Sequence, residues 1–341
     1  MVRMPPINSS EQMRDGSHTL DAPDAALPAS ALPGYSDVLA AAARIAPHAH
    51  LTPVLHSRTL DALAGCELLF KCENFQRAGT FKFRGACNAV WSLADTEAAR
   101  GVVTHSSGNH GAALALAARD RGIPAHVIVP EGAVASKLAA IKAYGAMLHA
   151  CAPTMAAREA ECARVQAESG AVLVHPFTDP RVIAGQATAA LELLHAAGPL
   201  HALIAPIGGG GLIGGSAIVA RDHSQDMQIF AAEPAGAADA FESLRQGRRV
   251  TGIVPDTIAD GLRGTIGAIN LALLQTHRVE VLLVEEDEII QAMRLLWERL
   301  KIVVEPSSAT VLTAVLRYRE RFAGHRVGLI VSGGNVDAPG G

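Results

Sequence analysis

A chain of 341 residues, 49% hydrophobic and 18% charged, is long and apolar enough to bury one or two substantial cores. Its net charge of −4, with basic residues scattered and not striped, argues against nucleic acid as a partner. No apolar run approaches the roughly 20 residues that span a bilayer, which argues against a membrane partner.

Residues 1–33 are rich in Ser, Pro, Ala and Asp without periodicity and read as a disordered extension. The stretch after Met1 lacks an apolar signal core, and its acidic residues do not suit a mitochondrial presequence. Five cysteines (Cys66, Cys72, Cys87, Cys151 and Cys162) have neither metal-site spacing nor the density of a disulfide scaffold. They point to a reducing cytoplasm, as small buried hydrophobes.

Downstream, apolar strand-like runs alternate with amphipathic helices. Strands are expected at 67–72, 101–105, 125–130, 146–150, 171–175, 202–207, 228–232, 279–284 and 327–332. Helices are expected at 109–121, 135–144, 155–168, 181–196, 212–220, 286–300 and 307–321. Continuously apolar strands separated by helix-length segments imply an α/β chain with buried parallel sheet and helices on both faces.

Five stretches carry chemistry. In Thr80-Phe81-Lys82-Phe83-Arg84-Gly85-Ala86 a lysine stands between two phenylalanines, just before a helical run. Apolar walls desolvate an amine, lower its pKa and leave more of it able to attack a carbonyl. Read alone, the same pattern also fits a surface lysine lying along buried aromatics. Next, Thr104-His105-Ser106-Ser107-Gly108-Asn109-His110-Gly111 joins a strand to a helix. The unpaired N–H groups at such a helix start suit a carboxylate or phosphate, and a plain Ser/Asn cap is the alternative.

The run Gly208-Gly209-Gly210-Gly211 follows a strand and precedes a helix, so its backbone can curl N–H groups around an anion. Within it, Gly209-x-Gly211-x-x-Gly214, with Glu233 about 20 residues on, also matches the dinucleotide fingerprint of a nicotinamide-dependent dehydrogenase. That reading leaves Lys82 and the other turns without a task. In Glu233-Pro-Ala-Gly-Ala237-Ala-Asp239 two carboxylates flank a turn and could clamp a hard cation, or merely cap the next helix. Last, Ser332-Gly333-Gly334-Asn335 ends the final strand with a hydroxyl on a tight turn.

Together these stretches, with Lys71-Cys-Glu-Asn-Phe-Gln, Val182-Ile-Ala-Gly-Gln186 and Ile258-Ala-Asp-Gly261, resemble the fold-type II pyridoxal-phosphate enzymes. The resemblance is to the serine racemase and serine/threonine dehydratase group, over about residues 45–337. It implies a tryptophan synthase β-like fold of two open, twisted, mostly parallel sheets. It also implies a large domain (34–100 plus 179–341), a small mobile domain (101–178), a homodimer and a cytoplasmic setting.

The same resemblance implies roles for single residues. Lys82 would join the cofactor aldehyde and, once released, take the Cα proton. Phe81 and Gly261 would sandwich the pyridine ring, Gly208 to Gly211 would hold the phosphate, and Asn109 would bond the ring hydroxyl. Ser106, Asn109 and His110 would receive the substrate carboxylate, and Arg158 would approach as the small domain closes. Ser332 would face the pyridine nitrogen. A hydroxyl there does not force that nitrogen to stay protonated, which suits loss of a β-leaving group over transamination.

Ser107, where many threonine dehydratases carry alanine, would be a second base opposite Lys82, so that racemisation competes with elimination. Glu233, Asp239 and the Ala237 carbonyl match a Mg²⁺, Mn²⁺ or Ca²⁺ site. Ala112 and Gly264 depart from animal racemases, which carry a glutamine beside the nucleotide pocket and a serine for a diacid's second carboxylate. The implied activity is ammonia release from a β-hydroxy-α-amino acid, such as L-serine, L-threonine, threo-3-hydroxyaspartate or an arylserine. The wording Asn-Phe-Gln-Arg and Phe-Lys-Phe-Arg-Gly is similar to the threo-3-hydroxyaspartate ammonia-lyase branch.

Overall fold

A computed structural model describes residues 32–133 and 135–337, with the side chains of 135–137 left aside. The expected extension lies almost entirely outside these residues. Among the described residues ten strands form: β1 (Val54–Leu55), β2 (Glu67–Cys72), β3 (Val102–Thr104), β4 (Ala125–Pro130), β5 (Met147–Cys151), β6 (Val172–Leu173), β7 (Ala202–Pro206), β8 (Gln228–Pro234), β9 (Glu280–Val284) and β10 (Arg326–Val331). They make a six-stranded sheet in the order β1-β2-β10-β7-β8-β9 and a four-stranded sheet in the order β5-β4-β3-β6. Every pairing is parallel except β1 with β2. This is the α/β arrangement that continuously apolar strands require, since β4 and β7 are buried at every position.

Nine strands fall where the apolar runs put them. The two-residue β1 is too short to leave a periodic signal. Differences elsewhere have local causes. The helix expected over 286–300 is α-helical only to Leu295 and widens into a π turn at Leu296–Leu300. The helix expected to start at 181 begins at Pro180, a residue suited to the first helical position because it has no N–H to satisfy.

Three helices cross closely behind the large sheet. A Cβ on Gly185 would lie 2.6 Å from Gly85 Cα, and one on Gly215 would lie 2.6 Å from the Ile183 carbonyl. Only glycine permits those approaches of backbone to backbone. The Gly85 N–H donates to Gln186 Oε1 at 3.0 Å across the first crossing. So Lys82–Trp91, Pro180–Ala197 and Gly211–His223 stack in that order as one block, the last two packing on β7 and β10.

Within that block lies a buried set of charges. Arg84 is fully buried and bonds Glu73 through Nε (2.6 Å) and Glu192 through Nη1 (2.7 Å). Lys71, 1% exposed, reaches Glu192 at 2.5 Å and the Thr52 carbonyl at 2.7 Å. Burial pulls the Lys71 pKa down. It would do the same to Arg84, but the two carboxylates more than offset it and raise Arg84. Two cations and two anions balance, so the block tolerates its charges only as a set.

The five cysteines are free thiols. Burial pushes Cys66 and Cys162 up to about 11 and Cys72 and Cys87 to about 12, so they act as inert apolar filling. Among the described residues no helix is long and apolar enough to cross a membrane.

The buried quartet gives a test. Arg84→Met strands Glu73 and should lower unfolding free energy by about 3–5 kcal/mol in urea titrations. Arg84→Met with Glu73→Leu leaves Lys71 and Glu192 balanced and should recover most of that loss. A double variant no better than the single one would show that charge balance is not what matters there.

Candidate active site

All five motif stretches lie at C-terminal ends of parallel strands, where open α/β sheets form their binding crevices. Four of them line one cavity of about 600 Å³ between the two sheets, and the Glu233–Asp239 pair is not among its walls. The order of assembly can be followed from Lys82 outward.

Lys82 is the first residue of the helix Lys82–Trp91, entered from Phe81. The entry is fastened to the end of β10: the Phe81 N–H donates to the Ser332 carbonyl at 2.9 Å, and Thr80 bridges to Gly333. Of the two flanking aromatics, Phe83 turns into the core while the Phe81 ring lies 5.1 Å from Lys82 Nζ. Nζ donates to the Pro176 carbonyl at 2.9 Å. Burial lowers the Lys82 pKa from 10.5 to about 8, with Glu305 opposing. A neutral, desolvated amine facing a cavity is a nucleophile and a base.

The turn after β3 supplies the opposite wall, with Ser106, Ser107, Gly108, Asn109 and His110 all on the cavity. Gly108 is the N-cap of the helix Asn109–Arg121, and no side chain caps it. The plain Ser/Asn cap is therefore not what forms. Gly111 packs against the turn, since a Cβ there would lie 2.1 Å from the Ser106 carbonyl. His110 Nε2 lies 3.2 Å from the Val174 carbonyl, which makes Nε2 the N–H and leaves Nδ1 a buried lone pair without a partner. Burial first, then Lys82, holds His110 well below the ordinary histidine range. Asn109 Nδ2 donates to Glu305 at 3.0 Å and its Oδ1 accepts from Asn335 at 3.0 Å, so one Asn109 N–H remains for a ligand.

The floor is the tetraglycine between β7 and the helix Gly211–His223. Gly210 has φ 91°, in the left-handed region that favours glycine. At Gly209 a Cβ would come within 2.4 Å of the Phe177 ring. The loop is thus a backbone cradle at a helix start, chemistry suited to a phosphate. Gly261 lies on the turn Asp260–Leu262, where its N–H donates to Ser307 Oγ at 3.1 Å. Ser332, 2% exposed, pairs with Ser308 Oγ at 2.9 Å. Arg158, on the helix Met155–Ser169, lines the cavity with its buried Nε unpartnered.

Apart from these walls, Glu233 at the end of β8 is fully buried and accepts from the Ala240 and Phe241 N–H groups. Those oxygens are not free for a ribose, as the dinucleotide reading needs. Asp239 accepts from the Ile266 N–H at 2.7 Å. Burial raises Glu233 to about 8 and Asp239 to about 6, and no ion pair reaches either among the described residues. Among those residues no three His, Cys, Asp or Glu side chains gather as a metal site. Two buried carboxylates with no cationic side chain paired to them are nevertheless donors of the hard-cation kind.

Several cavity residues carried no signal in the chain order. Glu305 precedes a Pro-initiated helix and reads as an ordinary cap. Phe177 and Arg263 sit in loops. Their contact with the site depends on how the two sheets meet.

Comparison with known proteins agrees with this geometry. Residues 45–333 match the model of a family described as pyridoxal-phosphate dependent enzyme. The β-hydroxyaspartate dehydratase of Paracoccus denitrificans is 46% identical over 306 residues, 90% of this chain and 97% of that protein. A serine racemase of Dictyostelium discoideum is 48% identical over 305 residues, 88% of this chain and 94% of that protein. The crystal structure of the Dictyostelium racemase superposes with a TM-score of 0.87 at 46% identity, covering 90% of this chain and all of that one.

The amine gives a direct check. Labelling of the apoprotein by pyridoxal, trapped with borohydride and mapped by mass spectrometry, should modify Lys82 with a pH profile rising through about 8. The neutral amine is the reactive form, so the yield grows above that pH. A profile centred near 10.5 would show that Lys82 is not desolvated.

Proposed function

The chain belongs to the pyridoxal-phosphate dependent enzyme family, and we infer on that premise that it is an ammonia-lyase. It dehydrates a β-hydroxy-α-amino acid, giving a 2-oxo acid and ammonia. One observation carries the reading: a pKa-lowered lysine, a glycine cradle and an uncapped helix start share a single cavity. The cradle, the orphaned Arg158 Nε and the desolvated amine fit the cofactor's phosphate, a substrate anion and an aldehyde respectively. The fit to a nicotinamide dehydrogenase is poorer, because the acid that fingerprint needs is already bonded.

When bound, pyridoxal phosphate supplies an electron sink for the charge left at Cα. The rest of the work belongs to side chains. Lys82 takes the proton from Cα. The N–H groups at the start of the helix Asn109–Arg121 hold the substrate carboxylate, aided by the positive end of the helix dipole. The β-hydroxyl leaves as water, taking its proton from Ser107 on the opposite face or from the cofactor phosphate. Phe81 and Gly261 would hold the ring between them, Asn109 would spend its remaining N–H on the ring hydroxyl, and Ser332 would meet the ring nitrogen. The small sheet and its helices, residues 101–178, act as the closing lobe that brings Arg158 inward. We take the chain to work in the cytoplasm as a homodimer, which light scattering would test.

A second reading, amino-acid racemisation on the same residues, is favoured by Ser107 and by the 48% identity to a serine racemase. The two-base arrangement allows both outcomes, and the fate of Ser107's proton separates them. The carboxylates of Glu233 and Asp239, with the Ala237 carbonyl, would hold Mg²⁺, Mn²⁺ or Ca²⁺, offsetting the burial that raises both acids and the smaller push of Asp239 on Glu233. Such a cation would steady the loop below the cavity without touching substrate.

Four β-hydroxy amino acids (L-serine, L-threonine, L-threo-3-hydroxyaspartate and an arylserine) should each be assayed for ammonia. At least one should turn over, and Lys82→Ala should cut that rate by about 10³-fold or more. No ammonia from any of them would sink the lyase reading. Ser107→Ala should abolish conversion of L-serine to D-serine, followed by chiral chromatography, while elimination from L-substrates stays within about tenfold. Equal loss of both would contradict the two-face assignment. For the metal, Mg²⁺ added to EDTA-treated protein should raise stability by about 2.7 kcal/mol at a hundredfold excess over Kd. Glu233→Gln should remove that gain, and a wild type indifferent to Mg²⁺ would exclude the site.

A further inference from the structure

Beneath the glycine cradle lies Asn270, fully buried in the first turn of the helix Ala268–Thr276. Its Nδ2 donates to two main-chain carbonyls, those of Gly209 and Phe177. The amide orientation follows from chemistry, since only the NH₂ end can serve two carbonyls. The Gly267 N–H joins it on the Gly209 carbonyl at 3.2 Å. Asn270 Oδ1 is left buried with no partner. An apolar side chain of that size would avoid stranding an acceptor, so the two donated bonds are what this residue contributes.

Those bonds act on the cradle through the peptide plane. The Gly209 carbonyl and the Gly210 N–H belong to one planar trans unit and point opposite ways. With the carbonyl drawn down to Asn270, the Gly210 N–H is turned to the other side of the loop. Gly210 also rests on the asparagine, as a Cβ there would be 2.7 Å from Asn270 Cβ. The second bond, to Phe177, holds the segment whose ring lies over Gly209 and whose neighbour Pro176 accepts from Lys82. One side chain therefore ties the loop to the stretch that receives the lysine.

We propose that Asn270 is a positioning residue that aims the Gly210 N–H at an anion and so sets the affinity for the phosphate end of the cofactor. This rests on the reading that the tetraglycine holds that phosphate. The test compares pyridoxal 5′-phosphate with pyridoxal, which differs only at the phosphate, as ligands of the apoenzyme in fluorescence titrations. Wild type should prefer the phosphorylated ligand, and equal affinity would overturn the phosphate-loop reading itself. Given that preference, Asn270→Leu should weaken pyridoxal 5′-phosphate by about tenfold or more while pyridoxal stays within about threefold. Inorganic phosphate should lose its competition with pyridoxal 5′-phosphate in parallel. A variant that keeps the full preference, or loses both ligands equally, would refute the positioning role. If Asn270→Leu does not fold by circular dichroism, the isosteric Asn270→Asp, which lacks the donor, decides on the same ratio.

Discussion

The proposed chemistry depends on keeping one amine out of water at a fixed point, and the structure holds that amine in place with buried charge. Lys82 is the first residue of a helix whose third residue, Arg84, is clamped between Glu73 and Glu192. Arg84 cannot shift without stranding the fully buried Glu73, since only Glu192 keeps a second cation, Lys71. The clamp thus holds the helix start, and with it the lysine, more firmly than apolar packing alone could. Gly85 and Gly185 let the neighbouring helix come close enough for Glu192 and Gln186 to reach across.

From that fixed point the site is built by strand ends. β3, β7 and β10 each deliver a turn to one cavity, and each turn does something a helix or strand interior cannot. The turn after β3 leaves a helix start uncapped, the turn after β7 offers a bare backbone, and the turn after β10 presents a shielded hydroxyl. Gly208 to Gly211 and Gly261 put no side chain into the cavity. Selectivity among β-substituents is then left to a few side chains, Arg158 and Arg263 among them, and to Gly264, which adds no side chain of its own to the lining. A pocket of that kind discriminates by charge and volume, where a single methylene counts for about 1–3 kcal/mol.

The carboxylate pair at Glu233 and Asp239 shows how the same residues read differently with and without tertiary context. Along the chain they are two acids flanking a turn. Folded, both are buried, both are raised by that burial, and both accept backbone N–H groups. Neither a solvated acidic loop nor a ribose-binding acid has those properties.

Hydrophobic pattern alone determined the α/β class, nine of the ten strands among the described residues, the strand-to-helix junctions that hold Ser106 to His110 and Gly208 to Gly211, the helix start at Lys82 and the strand end before Ser332. Those features are local: a strand's burial, a glycine's freedom and a helix start each leave a signature within a few residues. Only the tertiary structure decided that Phe83 faces the core and Phe81 the amine, that Gly108 caps the helix in place of a serine, and that Glu305, Phe177 and Asn270 belong to the site. These depend on contacts between segments far apart in the chain, where side-chain direction is set by how two sheets and three glycine-crossed helices pack. No period in the sequence encodes such a contact, because its energy arises only once both partners have lost their water.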